Sequence, residues 1–401
     1  MNYLADLSYL AIKKESTEGV AVKPDVFLPM DSSDVATAMN NTPDRRMFGV
    51  DFEAIDVLPG ERSHTGSIVL WADPDSLGYI FTMFLKKGTT TGSAEAGYTH
   101  PFTPEEPNTY TIEIPKGPYA QRFFGVKGNA LRLFFEEAKM KADLNVSAMG
   151  QVSSFRIAAA LTAETSTEIV LSQEYDLEPT RGLVIGDQIV IGAGTASEET
   201  GTISAIDTNG YEITLASAVA NSHDIGELCF LKKQSVSHSV LQKPLFFGDV
   251  QVGFGATAAA AITAAGSKTT ATPVSNLEIN FGNNLNAVPM TNYRDPSKIL
   301  PTFRNCDITI TQLLDEPDQH QAWLGTEKQA ICILANGRLI NASTGAKNQL
   351  SWLIHNAKLI DNAEPLNVGD YVRDEQNFKA VYDITDGKAL TISLINETSN
   401  Y

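Results

Sequence analysis

The residues whose spacing could serve acid–base chemistry or hold a calcium ion are close carboxylate pairs: Asp73/Asp75, Glu105/Glu106, Glu136/Glu137 and Glu198/Glu199. Most of them fall in turns or at a helix start, where acidic side chains cap and solubilise, so they do not specify a catalytic site. The six histidines, His64, His100, His223, His238, His320 and His355, are isolated, and none forms an HExxH-like helical pair. Cys229, Cys306 and Cys332 lie far apart with no CxxC spacing, which predicts semi-buried free thiols, not a disulfide framework or a cysteine zinc site. No GxSxG elbow and no GxxxxGK[ST] phosphate loop occurs; Gly253-Phe254-Gly255 supplies two glycines of a dinucleotide fingerprint without the third or its βαβ setting. The chain therefore reads as a non-enzyme with no cofactor and no metal.

What the residues do specify is a β-rich pattern written twice. The first copy has an alternating strand at Phe48, Val50 and Phe52 and a second strand around Ile68 and Leu70. Asp73-Pro74-Asp75 then opens a short helix. Leu77, Ile80, Phe81 and Phe84 stand at i, i+3, i+4 and i+7, which predicts one apolar helix face packed on a sheet. The second copy repeats the order with Leu277, Ile279 and Phe281, then Ile308 and Ile310, then Glu316-Pro317-Asp318 opening a helix through Ala322, Trp323 and Leu324. Each copy returns to strands: Ala142, Leu144, Val146 and Ala148 alternate with polar residues in the first. In the second, Phe378, Ala380 and Tyr382 are followed by Leu390, Ile392 and Leu394.

Between the copies lies a small β module. Glycines at 182 and 186 mark turns before a strand at Gln188–Ile191, and Asn209-Gly210 joins Thr202–Ile206 to Tyr211–Leu215 as a hairpin. The expected division is a first domain at 1–168, an accessory module at 169–236 that interrupts neither apolar pattern and is separable, and a second domain at 237–401. The fold class is mainly β: two β-sandwich or half-barrel domains, each with a flanking helix, plus an inserted barrel-like module. Two segments are irregular. Lys87 to Asn108 reads as a long connection whose Tyr98, His100, Pro101 and Phe102 suit an inter-ring loop, one that reaches from one ring of subunits to the next and orders in an inter-subunit groove. Gly255 to Thr272, rich in Ala, Gly and Thr, fits either an extended arm or a short helix.

The chain has 401 residues, enough for two or three cores, and no apolar run approaching the roughly 18 residues of a membrane span. Its first fifteen residues lack the apolar block of a secretory signal. A formal charge of −18 argues against a binder that works by neutralising phosphates.

Several stretches resemble the tail tube proteins of long-tailed, siphovirus-type bacteriophages, in the group whose chain carries the tube fold twice. They are Ala11 through Val22 with Val26-Phe27-Leu28-Pro29; Thr65-Gly66-Ser67-Ile68-Val69-Leu70; Gly97 through Pro104 leading into Tyr110 through Ile114; Ser275 through Asn280 with Asn284-Leu285; and Arg294-Asp295-Pro296. The resemblance implies inner sheets joined side by side into a ring, three chains supplying six similar units, and rings stacked into a tube. It also implies a virion protein assembled in the host cytoplasm, whose partners are its own copies, the tape-measure protein, tail tip or baseplate and tail terminator proteins. Phage DNA would pass non-specifically along the lumen, past an acidic wall. The module departs from the family pattern. A rival class, a monomeric multi-domain β adhesin or carbohydrate-binding protein, would explain the strands and the barrel but not the paired acidic-proline helices; a β-sandwich hydrolase has no motif behind it.

Overall fold

Alternation of apolar and polar residues makes strands wherever one face can be buried, and this chain is built almost wholly that way. The computed structural model describes residues 9–44, 56–58, 60–152, 154–173, 178–236, 243–289, 294–313, 327–363 and 373–401. Its first part runs through β1 (Leu10–Lys14), β2 (Ser32–Ser33), β3 (Ala36–Met39), β4 (Arg62–Trp71), α1 (Pro74–Phe84), β5 (Gly97–Thr103), β6 (Tyr110–Lys116), β7 (Tyr119–Glu136), β8 (Lys139–Ala148) and β9 (Gly150–Val152). Short strands follow: β10 (Ser154–Arg156), β11 (Glu168–Val170), β12 (Gln188–Ile191), β13 (Glu199–Ile206), β14 (Glu212–Leu215) and β15 (Leu228–Leu231). The last part holds β16 (Val250–Gly255), α2 (Ala258–Ala265), β17 (Val274–Gly282), β18 (Asn305–Leu313), β19 (Gln329–Asn341), β20 (Ala346–Ala363), β21 (Arg373–Ala380) and β22 (Leu390–Asn396).

The two parts carry the same set of antiparallel ladders. In the first, β6 pairs β1 and β7, β7 pairs β8 and β9, and β8 pairs β4. In the second, β19 pairs β16 and β20, β20 pairs β21 and β22, and β21 pairs β18. The long strands β7 and β20 each serve two sheets: the N-terminal half runs in an outer sheet and the C-terminal half in an inner one. Identity between the parts is low, so the shared ladder order is better evidence of duplication than any residue match.

Layering follows from side-chain parity. Ile68, Leu70, Leu131, Leu144, Ile279 and Ile308 on the inner sheet face Phe123, Val126 and Ile112 on the outer sheet in one continuous core. On β7 the intervening residues Ala120 and Phe124 point the other way, into the core of the central module with Leu183, Ile189 and Leu231. The first outer sheet is thus covered on both faces, which is why Tyr110 to Pro115 is buried without a break. Strand order β10-β15-β12-β13-β14-β11 makes the module, and a bridge between Ile157 and Leu171 joins its two end strands into a small barrel.

Helix α1 starts where its cap predicts: Asp73 Oδ1 accepts from the Asp75 and Ser76 N–H groups at 3.1 and 2.9 Å, and Pro74 occupies the first turn. Burial pushes the Asp73 carboxyl up, against the hydrogen bonds from Ser76 and Asp75 that favour its charge. Leu77, Ile80, Phe81 and Phe84 are all fully buried. Gly78 lacks a side chain where the Tyr401 ring lies on the helix; a Cβ there would stand 1.9 Å from the ring.

Several sequence expectations are changed. Lys87 to Asn108 is no structureless connection: Gly97–Thr103 is strand β5, backed by a short strand at Thr91–Ser93. The module's sheet starts at Ser154, ahead of the expected 169, because β10 pairs β15. Of the two readings left for Gly255 to Thr272 the short helix stands: it is α2, whose Ala260 N–H donates to the Thr257 hydroxyl at 3.3 Å. Tyr382 lies past the end of β21 in an exposed turn. The strand at Phe48, Val50 and Phe52 and the helix expected from Glu316-Pro317-Asp318 through Leu324 lie outside the described residues.

Candidate assembly surface

The inner strands of both parts form one continuous wall, in the order β2/β3, β4, β8, β7, β17, β18, β21, β20. Each part supplies one half, and the halves meet where Ala130 to Phe134 of β7 pairs with Glu278 to Gly282 of β17. One face of the wall is the core. The other carries Asp143, Glu278, Asp307, Glu375 and Asp361 among Lys141, Arg132, Arg373, Lys379 and Lys358, interspersed with Asn145, Asn280, Thr309 and Asn377. Among the described residues this face is charge-balanced, where the resemblance implied an acidic wall.

The contact between the halves is fastened at three levels. Arg132 Nη2 meets Glu278 Oε2 at 2.6 Å across the ladder, and that hydrogen bond is the main reason the Glu278 carboxyl sits below its usual range. The wholly buried Asn283 donates from Nδ2 to the carbonyls of Phe84 and Gly128, both at 2.9 Å, and its own N–H reaches Asn129 O at 2.7 Å. Asp295, in the connection before β18, lies 3.1 Å from His64 and 3.7 Å from Arg62 and Arg181. Burial opposes its ionisation, but His64, Arg62 and Arg181 outweigh that and hold the carboxyl low.

Strand β5 is the fourth fastening. It leaves the first part and pairs with β22 of the second, Tyr98 opposite Asn396 and Phe102 opposite Ile392. His100 is fully buried, with Nε2 2.9 Å from Thr398 O and Nδ1 3.0 Å from Thr90 Oγ1; burial pulls its pKa down. Phe102 packs edge-on against Phe81, and Phe81 against Trp352 of the second part, with ring centroids 5.3 and 6.1 Å apart. Of the four residues placed in an inter-subunit loop, His100 and Phe102 are therefore enclosed by their own chain, while Tyr98 and Pro101 stay half-buried. The groove they fill belongs to the other half of the same molecule.

The module is held by charge as well as by packing. Arg122 on β7 is enclosed and forks onto Asp187 of the module, Nη1 at 2.5 Å and Nη2 at 2.8 Å, while Nη2 also reaches Glu113 at 3.1 Å. Burial works against the guanidinium charge, but Asp187 and Glu113 overcome it and raise the pKa above its ordinary value. Gln234 and Tyr9 complete the cluster on Glu113, each at 3.2 Å. Gly182 permits the approach: at φ +92° its Cβ would fall 2.6–2.7 Å from Val152 and Phe124. The module thus shares both a core and a buried ion cluster with the first part. Sequence reading passed over Arg122, Asp187 and Asn283. The signal for the first was a lone cation directly before Phe123-Phe124 in the stretch Ala120 to Val126.

The cysteines are buried free thiols; burial pushes Cys229 and Cys306 up to about 12 and Cys332 to about 11. Among the described residues no cluster of three or more His, Cys, Asp or Glu is placed to hold a metal ion, and no helix is long and apolar enough to cross a membrane.

A family model described as phage tail tube protein matches residues 5–215, the first part and most of the module. No curated protein matches the chain.

Proposed function

The chain belongs to the phage tail tube protein family, and from that premise we propose that three copies close into a ring with six similar wall units, and that rings stack into the tube of a virion tail. The carrying observation is the wall itself: two equivalent half-walls joined edge to edge within one chain, core on one face and polar on the other. A sheet of this kind is completed by more of the same sheet, which removes open edges. The polar face would line the lumen. DNA carries a charge about every 1.7 Å of axis, and a strongly basic lining would hold it by counterion release. A balanced lining of paired charges, Asn and Thr gives passing DNA little net attraction. The tape-measure protein would fill the same lumen beforehand, with tail tip and terminator proteins at the tube ends.

The module covers the face of the first outer sheet that points away from the wall, so in this reading it stands on the tube exterior. We likewise divide the chain at the module's own sheet: a first tube unit to residue 152, a module from Ser154 to about Gln234, and a second tube unit beyond. Negative-stain class averages of the purified protein test the ring. Threefold rings that look nearly sixfold are expected; sixfold rings of six full chains, or a population of monomers only, would overturn it.

A further inference from the structure

The two repeats fill one core layer with different chemistry, and their ladders align it residue by residue. Leu144 stands between Ile68 and Leu131 in the first repeat, as Phe378 stands between Ile308 and Leu359 in the second. The next core position has Ala142 between Leu70 and Leu133, against Gln376 between Ile310 and Asn362. One step further, Met140 beside Ala72 corresponds to Asp374 beside Gln312. Leu133, Ala142, Met140 and Ala72 are all buried. Four apolar side chains of the first repeat thus answer to one carboxylate and three amides in the second. The fold does not demand the exchange, since the first repeat closes the same layer without a polar atom.

The oxygens of this layer are under-used. Asp374 is 1% exposed and Gln376 0%. Asp374 Oδ2 accepts from Gln376 Nε2 and, at 3.3 Å, from Gln312 Nε2. Asp374 Oδ1, Gln376 Oε1 and Asn362 Oδ1 are buried atoms without a hydrogen-bond partner among the described residues. They belong to one touching group: Gln376 bonds Asp374, and Gln376 and Asn362 are a direct cross-strand pair, whose side chains stand on the same face. Buried acceptors gathered in this way call for a donor or a cation, and the Gln376 and Gln312 amide nitrogens are already turned to Asp374 Oδ2. We infer that the layer binds one hard cation, with Asp374 Oδ1, Gln376 Oε1 and Asn362 Oδ1 as its protein ligands. A carboxylate with side-chain carbonyls and no nitrogen or sulfur is the donor set of calcium, whereas magnesium keeps its waters and demands a stricter octahedron. With a single carboxylate the affinity falls at the weak end for calcium, about 0.1–1 mM. The ion ties β20 to β21 and gives the second repeat the cohesion that apolar packing gives the first.

A salt titration of the chelator-treated full chain tests it, with choline chloride holding the ionic strength constant. Calcium chloride should raise the thermal midpoint and the amide protection of β20 and β21, saturating in the millimolar range, while magnesium chloride does much less. Asp374→Asn should abolish the calcium response. If that variant does not fold, Asp374→Met, Gln376→Ala and Asn362→Leu together copy the first repeat; this variant should fold without calcium, at a midpoint that calcium no longer moves. A response to sodium chloride in place of calcium chloride, lost in the same variants, supports the site and assigns it to a monovalent ion. An acidic chain also collects calcium on its surface, so a shift of equal size in wild type and in the variants would overturn the site. A wild-type midpoint indifferent to all three salts would overturn it as well.

Discussion

The two repeats share their ladders and differ in what their strands bury. On β8 of the first, the core-facing residues are Met140, Ala142, Leu144 and Val146; on β21 of the second they are Asp374, Gln376 and Phe378. Asp374 and Gln376 are buried, and Asp374 Oδ1 and Gln376 Oε1 have no hydrogen-bond partner among the described residues. Buried polar atoms without partners cost free energy, so the second repeat has the poorer core of its own. It compensates by borrowing: α1 and β5 of the first repeat lie on β20 and β22. The loan is returned in smaller pieces, with Tyr401 on α1, Asn283 on the Phe84 and Gly128 carbonyls and Asp295 on His64, while the outer sheet of the first repeat is covered by the module. Duplicated topology thus does not make two independent domains.

The largest test of this asymmetry is Phe81→Asp. It places an unpaired charge where Phe102 and Trp352 converge, at a cost on the order of 4–5 kcal/mol or more. If the second repeat depends on the first, amide protection should be lost together in β8 and in β18 and β21. Protection that persists in the second repeat, with its own thermal transition, would break the comparison.

The module anchor is the next largest. Asp187→Ala leaves the Arg122 guanidinium enclosed beside Glu113 alone, and removing one partner of a buried pair costs roughly 3–5 kcal/mol. Pairing that change with Arg122→Met and Glu113→Gln, which removes the whole buried charge cluster together, should recover most of the loss in a urea titration. A single-variant cost below about 1 kcal/mol would mean that packing, and not this ion cluster, ties the module to the first repeat.

The smallest effect sits at the contact between repeats. Arg132 holds the Glu278 carboxyl below its ordinary pKa, so the stabilisation is fully present above the unfolded value of about 4.3 and disappears as pH falls through the lower folded value. Because both side chains are partly exposed, Glu278→Gln should cost only about 0.5 kcal/mol at pH 7 and progressively less as the pH is lowered into the acid range where the folded carboxyl is protonated. Thermal melts at neutral pH and in that acid range read the difference. An equal cost at both would show that Glu278 acts through shape and not charge.

Local signals were legible because their causes are local. The Asp73 cap with Pro74, the i, i+3, i+4, i+7 stripe of α1, the alternation on β8 and the Asn209-Gly210 turn each involve residues within a few positions of one another, and each stands where the pattern put it. Even the duplication was readable, since it is an order of such signals. Gly97 to Thr103 shows the limit. Its alternation of Tyr98, His100 and Phe102 is visible, yet Pro101 and the flanking polar residues suggested a loop, and the strand exists because β22, almost three hundred positions away, supplies the ladder.

The amino-acid order alone determined that this chain is acidic and β-rich, with its strand pattern written twice, because composition and short-range periodicity bear directly on those properties. Tertiary structure alone decided where charge and polarity reside. The −18 net charge said nothing about which face is balanced, since strand parity and neighbouring strands assign each carboxylate to the wall, the surface or a buried pair. It also decided that Arg122, unremarked beside Phe123 and Phe124, ties the module down. Those outcomes depend on which distant segments meet, and the free energy of such meetings comes from burial and pairing across the fold, which no local pattern records.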